Sequence, residues 1–338
     1  MAGCLIKRKQ FGKKGIFLTF IAISLIAAFI LVFLPSNISL KKDIPAVKTR
    51  VTTINAYVTD LEDVYLEKSL QASSTKTITA LIKYMQSQNQ FLADFDGSFR
   101  EVLLKGTISG QPIDNFIEPN IMAGNTYPDW LGKMKTTADA AFNINTNFNN
   151  INVNDIKVYQ TSPWILTVDA TVSFTVSSET ASWSKTVSVR SEIDIQDFND
   201  PYYLVNTAGA YTNRIKKSSV SFDEWDIGKA KEHIRQGTYV HFEGSKAPNF
   251  IMRFTNTIAQ SSCCGIESLV NPNKPGITNK DVSYADYKYW SSTPACPNSD
   301  LYTIDGISNG EFPNFKLDLD HVVKYNLRSS AALKCPPP

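Results

Sequence analysis

The chain has 338 residues, with 34 Lys and Arg against 32 Asp and Glu and only three histidines, a formal charge of +2. Five of the basic residues, Lys7, Arg8, Lys9, Lys13 and Lys14, precede the first apolar run; without them 29 basic residues face 32 acidic ones, a net of −3. No basic stripe then remains to neutralise phosphates, which argues against a nucleic-acid partner, and the length allows one large domain or two modest ones.

Gly15 to Leu34 reads GIFLTFIAISLIAAFILVFL, twenty residues without a charge. A helix rises about 1.5 Å per residue and a hydrocarbon core is about 30 Å thick, so this run predicts a transmembrane helix over 16–34 embedded in membrane lipid. Pro35-Ser36-Asn37 follows as a stop. The basic residues of the 1–15 leader favour a cytoplasmic N-terminus with the bulk of the chain extracytoplasmic, although Lys41, Lys42, Lys48 and Arg50 on the far side reduce the asymmetry. A cleaved secretory signal has a shorter apolar region, about 7–15 residues, and a small-x-small site. This run ends instead in Phe33-Leu34-Pro35.

Lys13-Lys14-Gly15 followed directly by Ile16-Phe17-Leu18 resembles the class III leader of archaeal type IV pilin-like proteins. The resemblance implies processing after Gly15, with Ile16 as the new N-terminus. It also implies a retained helix that anchors in the membrane and later associates with its own kind in an extracellular filament. Many pilins carry Glu at the fifth mature position; this chain has Phe20. A plain uncleaved anchor is the alternative reading. Farther along, ASWSKTVSVRSEIDIQDFNDPYYLVN, APNFIMRFTN, CCGIESLVNP and LDLDHVVKYN are similar to archaeal membrane-anchored proteins of an uncharacterised family with such leaders. There an Asp-Pro-aromatic turn, an Ala-Pro-x-Phe stretch and a Gly-Ile-Glu-Ser stretch recur in this order. That similarity covers Ser182 to Leu327 and implies a shared extracytoplasmic domain.

Beyond Pro45, Val47, Val51, Ile54, Val58, Leu61 and Tyr65 are spaced four, three, four, three, four, a heptad seam on a helix. It suits either a coiled coil or a helix laying one stripe on its own domain. Ser73-Ser74-Thr75 predicts a break and N-cap, and a second helix carries Ile78, Leu81, Ile82, Met85 and Leu92, giving an antiparallel hairpin. A short helix is expected over Ser98–Lys105, and another over Asp129–Phe142 with Pro128 in its first turn. Residues 46–150 thus read as a helical stalk region. Asn143 to Asn154, NINTNFNNINVN, reads as a polar connector, since Asn tolerates left-handed turns.

The clearest local pattern follows. Trp164, Leu166, Val168, Ala170, Val172, Phe174 and Val176 alternate with polar residues, and Trp183, Val187, Val189, Ile193 and Ile195 repeat the alternation, a period-two hairpin. With a strand around Ile151–Tyr159 this makes an antiparallel meander whose apolar face needs a cover, and the preceding helices supply it. Asp197 to Tyr203 reads as a turn ending the sheet, and Asp223 to Gln236 as a helix. Residues 151–338 are thus expected as a β-rich extracytoplasmic domain.

Cys4 precedes the apolar run, and Cys263, Cys264, Cys296 and Cys335 all fall in the last third. Four cysteines outside the membrane suggest two disulfides. Because a bond between sequence neighbours is strained, Cys263 and Cys264 are expected to reach separately to Cys296 and Cys335. A four-thiolate metal site would want C-x-x-C knuckles, which are missing.

No stretch reads as catalytic, cofactor-binding or metal-binding. His321 follows Asp318 and Asp320, a spacing that could hold a metal or simply open an exposed helix capped by Asp318 or Asp320. His233 in KAKEHIRQG reads as solvated, and His241 as a strand residue. There is no i, i+4 histidine pair, no G-x-S-x-G, and Gly106, Gly110 and Gly124 are too scattered for a phosphate loop. Cys263-Cys264-Gly265 suggests oxidised cysteines rather than thiol chemistry. Tyr284, Tyr287, Tyr289 and Trp290 form either a binding patch for a glycan or surface protein, or a core patch around the disulfides. The expectation is a single-pass α+β protein: an N-terminal transmembrane helix, a helical stalk or hairpin, an antiparallel β-meander and a disulfide-bonded irregular C-terminal region. Its expected role is non-enzymatic, as a pilin-like subunit or minor pilus component that self-associates through its N-terminal helix. The alternatives are a monomeric tethered binding or adhesion domain and, more remotely, an envelope enzyme.

Overall fold

The computed structural model describes residues 46–179, 181–291 and 300–335, together with Ser24. The predicted processing residues Lys13, Lys14, Gly15 and Ile16, the rest of the apolar run and Cys296 lie outside the described residues. No helix among the described residues is long and apolar enough to cross a membrane. What is described is a mixed α+β fold with antiparallel sheets.

From residue 46 the chain is helical without interruption to Gln88: α1 (46–60), a π turn over Leu61–Tyr65, and α2 (Leu66–Gln88). The break and hairpin expected at Ser73-Ser74-Thr75 do not form. The Ser73 and Thr75 hydroxyls donate to carbonyls four residues back, Ser69 O at 2.9 Å and Gln71 O at 2.8 Å. Hydroxyls that could have capped a new helix are thereby spent inside the existing one. The π turn accounts for a second departure. The Leu66 N–H donates to Leu61 O, five residues back rather than four, so one extra residue enters the helix. The seam Ile54, Val58, Leu61 continues as Leu66, Leu70, Ile78, Leu81 and Met85, all buried, while Tyr65, which the heptad would have buried, is 46% exposed.

Asp94 caps α3 (Phe95–Lys105), accepting from the Asp96 and Gly97 N–H groups at 3.0 Å each. A short ribbon follows, β1 (Thr107–Ile108) with β2 (Gln111–Pro112). Thr126 and Asp129 form a reciprocal capping box at the start of α4 (Tyr127–Phe142), with Pro128 in its first turn. The Asn-rich stretch, expected as a connector, supplies strand β3 (Asn145–Phe148). Its reason lies in its neighbour. β4 (Ile156–Ser162) pairs with β5 (Ile165–Ser177) only up to Ala170, and β3 pairs with the remaining Phe174–Ser177 on the same edge. Backbone groups need partners whatever their side chains, and an open edge of β5 selects an extended neighbour over a loop. β6 (Ser182–Asp194) covers the other edge of β5 along its whole length.

Leu166, Val168, Ala170, Val172, Phe174 and Val176 of β5 are all buried. α2 packs against β6 and β5 and also touches α3, α4 and α5 (Pro201–Asn206), so the helices do cover the sheet. The helices of 46–150 and the strands beyond 151 contribute to one hydrophobic core, running from Ile54 to Leu327. After α5 come α6 (Ile227–Gln236), the single turns α7 (Phe250–Phe254) and α8 (Asp286–Tyr289), and a three-stranded sheet in the order β8-β7-β9. Its strands are β7 (Leu301–Ile304), β8 (Lys316–Asp318) and β9 (Ala331–Cys335), with α9 (Leu319–Lys324) between the last two. Between α5 and β7, isolated bridges stitch extended segments together: Asn199 with Arg214, Lys217 with Tyr239, Val240 with Glu267, and Leu269 with Ala285.

If the π turn holds one inserted residue, deleting exposed Val64 leaves a regular helix with both seams still in line. We expect that deletion to cost less than about 1 kcal/mol, whereas deleting Ala72 rotates the rest of α2 out of the core and costs more than about 4 kcal/mol. Equilibrium urea unfolding of the two deletion variants distinguishes them.

Candidate functional site

The irregular last third was expected to depend on cystine staples. Its centre is instead ionic. Asp200 is fully buried and caps α5, its Oδ1 accepting from the Tyr202 N–H at 2.9 Å. Arg253 on α7, also fully buried, donates from one guanidinium nitrogen to Asp200 Oδ2 at 2.5 Å and to Asp286 Oδ2 at 2.9 Å. Its other nitrogen donates to the Ile266 carbonyl. The Tyr239 hydroxyl adds 2.7 Å to Asp200, Ser268 donates to Asp286 from its N–H and its hydroxyl at 3.1 and 3.0 Å, and the guanidinium lies 4.8 Å over the Tyr202 ring. Burial raises the Asp286 carboxyl above its ordinary value against the opposing pull of Arg253.

Glu267, one residue before Ser268, opens a second group. It faces His321 Nε2 at 3.4 Å, Lys324 Nζ at 3.2 Å and the Tyr325 hydroxyl at 3.3 Å. His321 Nδ1 lies 2.7 Å from Asp318 Oδ2, the cap of α9. Burial alone would lower His321, but Glu267 and Asp318 raise it to about 9. Burial likewise would raise Glu267, yet His321 and Lys324 hold it down at about 2. The helix start expected here does form with Asp318 as its cap, but His321 is buried between two carboxylates rather than exposed. His233 also departs from expectation: it is 2% exposed, its Nδ1 is 2.5 Å from the Thr238 hydroxyl, and burial lowers it to about 3. Arg253, Asp200, Asp286, Glu267 and His321 have no exposed surface, so these clusters hold segments together and offer nothing to a substrate. Among the described residues no group of His, Cys, Asp and Glu is arranged to hold a metal ion.

The cysteines and aromatics also differ from expectation. Cys263 and Cys264 are bonded to each other, not to Cys296 and Cys335. The bond sits where the chain is pinned on both sides: the Ser261 N–H donates to Ala247 O and the Ile266 N–H to Pro248 O, both at 3.1 Å. Gly265 is required there, because a Cβ would lie 2.1 Å from the Ala247 carbonyl oxygen. These contacts keep the neighbouring thiols at one turn. The backbone of Cys335 closes β9 against Leu301. Tyr284, Tyr287 and Tyr289 are buried and Trp290 half-buried, so the candidate binding patch is core. Tyr284 packs 5.1 Å from Tyr289, and Tyr289 4.6 Å from Trp290.

An accessible apolar surface lies instead beside the first helix. A groove of about 580 Å³ runs between α1 with its π turn and α4, lined by Tyr57, Leu61 and Tyr65 on one side and Trp130, Met134 and Phe142 on the other. Tyr57 and Phe142 rings stand 5.3 Å apart, and burial raises the Tyr57 hydroxyl. Lys133 lies 4.6 Å over the Trp130 ring at the rim. Tyr65 and Phe142, which line it, are 46% and 36% exposed, so the groove is apolar and open. Exposed patches of this kind mark association surfaces.

No family model, curated protein or solved structure matches this chain. The groove therefore stands on its own chemistry: bulky apolar side chains, a cation and an acid (Lys133 and Asp60) at its edge, and a helix that leaves the body toward the N-terminal segment.

Sequence reading missed Asp200, Arg253, Glu267 and Asp286. Two of them carried a signal. Arg253 in FIMRF and Glu267 in CGIESLV are single charges inside apolar runs, which water would not leave unpaired in a core.

Replacing Arg253 with Met leaves Asp200 and Asp286 buried without a counter-charge, and we expect a loss of about 3–5 kcal/mol at neutral pH in urea unfolding. His321 gives a pH signature. Its folded value is raised above 6.5, so its contribution is complete below about pH 6.5 and is lost as the pH rises through about 9. Stability is expected to fall by on the order of 2 kcal/mol across that window, and His321→Gln to flatten the fall. His233 acts oppositely, since its value is lowered: stability drops as the pH falls from about 6.5 toward 3.

Proposed function

We propose that this chain is a non-enzymatic surface subunit of pilin-like type. It is held at a membrane by Gly15–Leu34 with its N-terminus cytoplasmic and its body outside, is processed after Gly15, and self-associates through α1. The observation that carries the proposal is the apolar seam of α1. It begins at exposed Val47 and half-buried Val51 and runs through Ile54, Val58 and Leu61 into the core. A seam that outlasts its own domain is half an interface.

The occupant is the same helix of a second copy, and the charges support it. Lys48 at one end of α1 and Asp60 and Asp63 at the other have no ion-pair partner among the described residues. Helices packed in one filament lie parallel, so in-register neighbours would set like charges side by side. A stagger of twelve residues, about 18 Å at 1.5 Å per residue, brings Lys48 of one copy to Asp60 of the next. The alternative, a tethered domain that never polymerises, is favoured by Phe20 standing where many pilins carry Glu.

Mass spectrometry of the mature chain tests the processing: a chain beginning at Ile16 supports it, and an intact Met1 or a cut after Leu34 sinks it. For the association, Lys48→Asp and Asp60→Lys are each expected to reduce cross-linked oligomers in sheared surface filaments severalfold, and the double exchange to restore them. Equal oligomer yield from all four chains would leave the stagger without support.

A further inference from the structure

A second depression differs from the groove in every chemical respect. It is a trough of about 460 Å³ between one face of α2 and the segment that leaves β6, and it is crossed by Arg214. Its floor is apolar: Ile82 and Ile193 are buried, and Phe198 is half-buried and stacked on Phe250. Its walls are polar, and most of their groups are committed. Gln71 donates to Glu192 O at 2.7 Å, Lys83 to Glu118 O at 2.8 Å, and Asp194 accepts from Gln196 at 2.9 and 3.0 Å.

Three groups are not committed. The side chains of Asp197, Asn199 and Arg214 have no partner among the described residues. They are nonetheless held in place by backbone. Asn199 and Arg214 are directly paired across an antiparallel bridge, and Asp197 donates its N–H to Ile215 O at 2.9 Å. Asp197 has φ 68°, a left-handed conformation uncommon for any residue with a side chain. The pairing thus sets an amide and a guanidinium side by side, next to a carboxylate, over an apolar floor.

The charges decide what fits. An anion such as phosphate or sulfate would meet Asp194 and Asp197, and a cation would meet Arg214 and Lys83. A neutral, hydroxyl-rich ligand suits both sets. Each hydroxyl both donates and accepts, matching a carboxylate, an amide and a guanidinium, while the C–H face of a sugar ring lies on Phe198 and the two isoleucines. We propose that this trough binds a neutral carbohydrate, with Asp197, Asn199 and Arg214 holding its hydroxyls. Tyr284, Tyr287 and Tyr289, the other candidates for a glycan, are closed to solvent. The proposal does not depend on self-association through α1, whose groove lies on different residues.

The test is retention of the detergent-solubilised full chain on immobilised oligosaccharides, with neutral series ending in glucose, galactose, mannose or N-acetylhexosamine beside sulfated and sialylated ones. Retention on at least one neutral series, competed by the free sugar, is expected. Losing a hydrogen bond made by a charged or amide group is worth about tenfold in affinity. Asn199→Ala and Arg214→Ala should therefore each weaken retention about tenfold without moving the Tm, since neither side chain has a partner to lose. Lys48→Asp should bind sugar as the parent does, which separates this site from the assembly reading. No retention on any neutral series, a preference for the sulfated or sialylated ones, or undiminished binding by both variants overturns the proposal.

Discussion

One guanidinium sets the terms for the C-terminal half of this protein. Arg253 lies between Asp200 and Asp286, all three fully buried, and each partner belongs to a different piece of chain. Asp200 begins α5 where the large sheet ends, Asp286 begins α8, and the Ile266 carbonyl belongs to the turn after the vicinal cystine. A segment with little regular structure cannot define its path by backbone ladders alone. Here charge does so: any displacement of one strand leaves an ion stranded in a low-dielectric interior, a penalty of several kcal/mol. Buried ion pairs are poor sources of net stability compared with apolar packing, but they discriminate sharply between one arrangement and its near neighbours.

The second ionic group extends the same logic. Glu267 and Ser268 are adjacent in sequence and serve opposite clusters, Glu267 meeting His321 and Lys324 while Ser268 meets Asp286. Isolated bridges rather than strands connect these segments, and buried tyrosines around them pack their rings on other aromatics, Tyr325 on Trp225 and Phe242 and Tyr284 on Phe315. The region reads as a polar core wrapped in aromatics, joined to a conventional apolar core under the large sheet.

How much of this was legible in the sequence follows from the range of the interactions involved. β5 and β6 were readable to within a residue or two, because alternation is local and their burial is one-sided. α4 was readable because Thr126, Pro128 and Asp129 carry their capping chemistry within four residues. The continuity of α1 and α2 was not, since Ser73 and Thr75 hydroxyls serve a cap or an i−4 carbonyl equally well and only the tertiary setting chooses. β3 was hidden because its cause lies in the free edge of β5. The ionic centre was hidden because its members lie far apart in the chain, although lone charges in FIMRF and in the run after Gly265 were its trace. The groove was half visible: the seam of α1 could be counted, but its wall from α4 could not.

The arrangement of α2 beneath the sheet bears on how the molecule carries force. Glu62 meets Lys185 and Gln71 meets Glu192, so helix and strand run lengthwise along one another. A chain held through the residues that precede α1 takes any pull along the axis of that helix. The load then reaches the sheet as shear, distributed over the whole buried length of α2, instead of peeling contacts open one by one. One wall of the polar trough is α2 itself, so whatever occupies that trough rides on the element that takes the load.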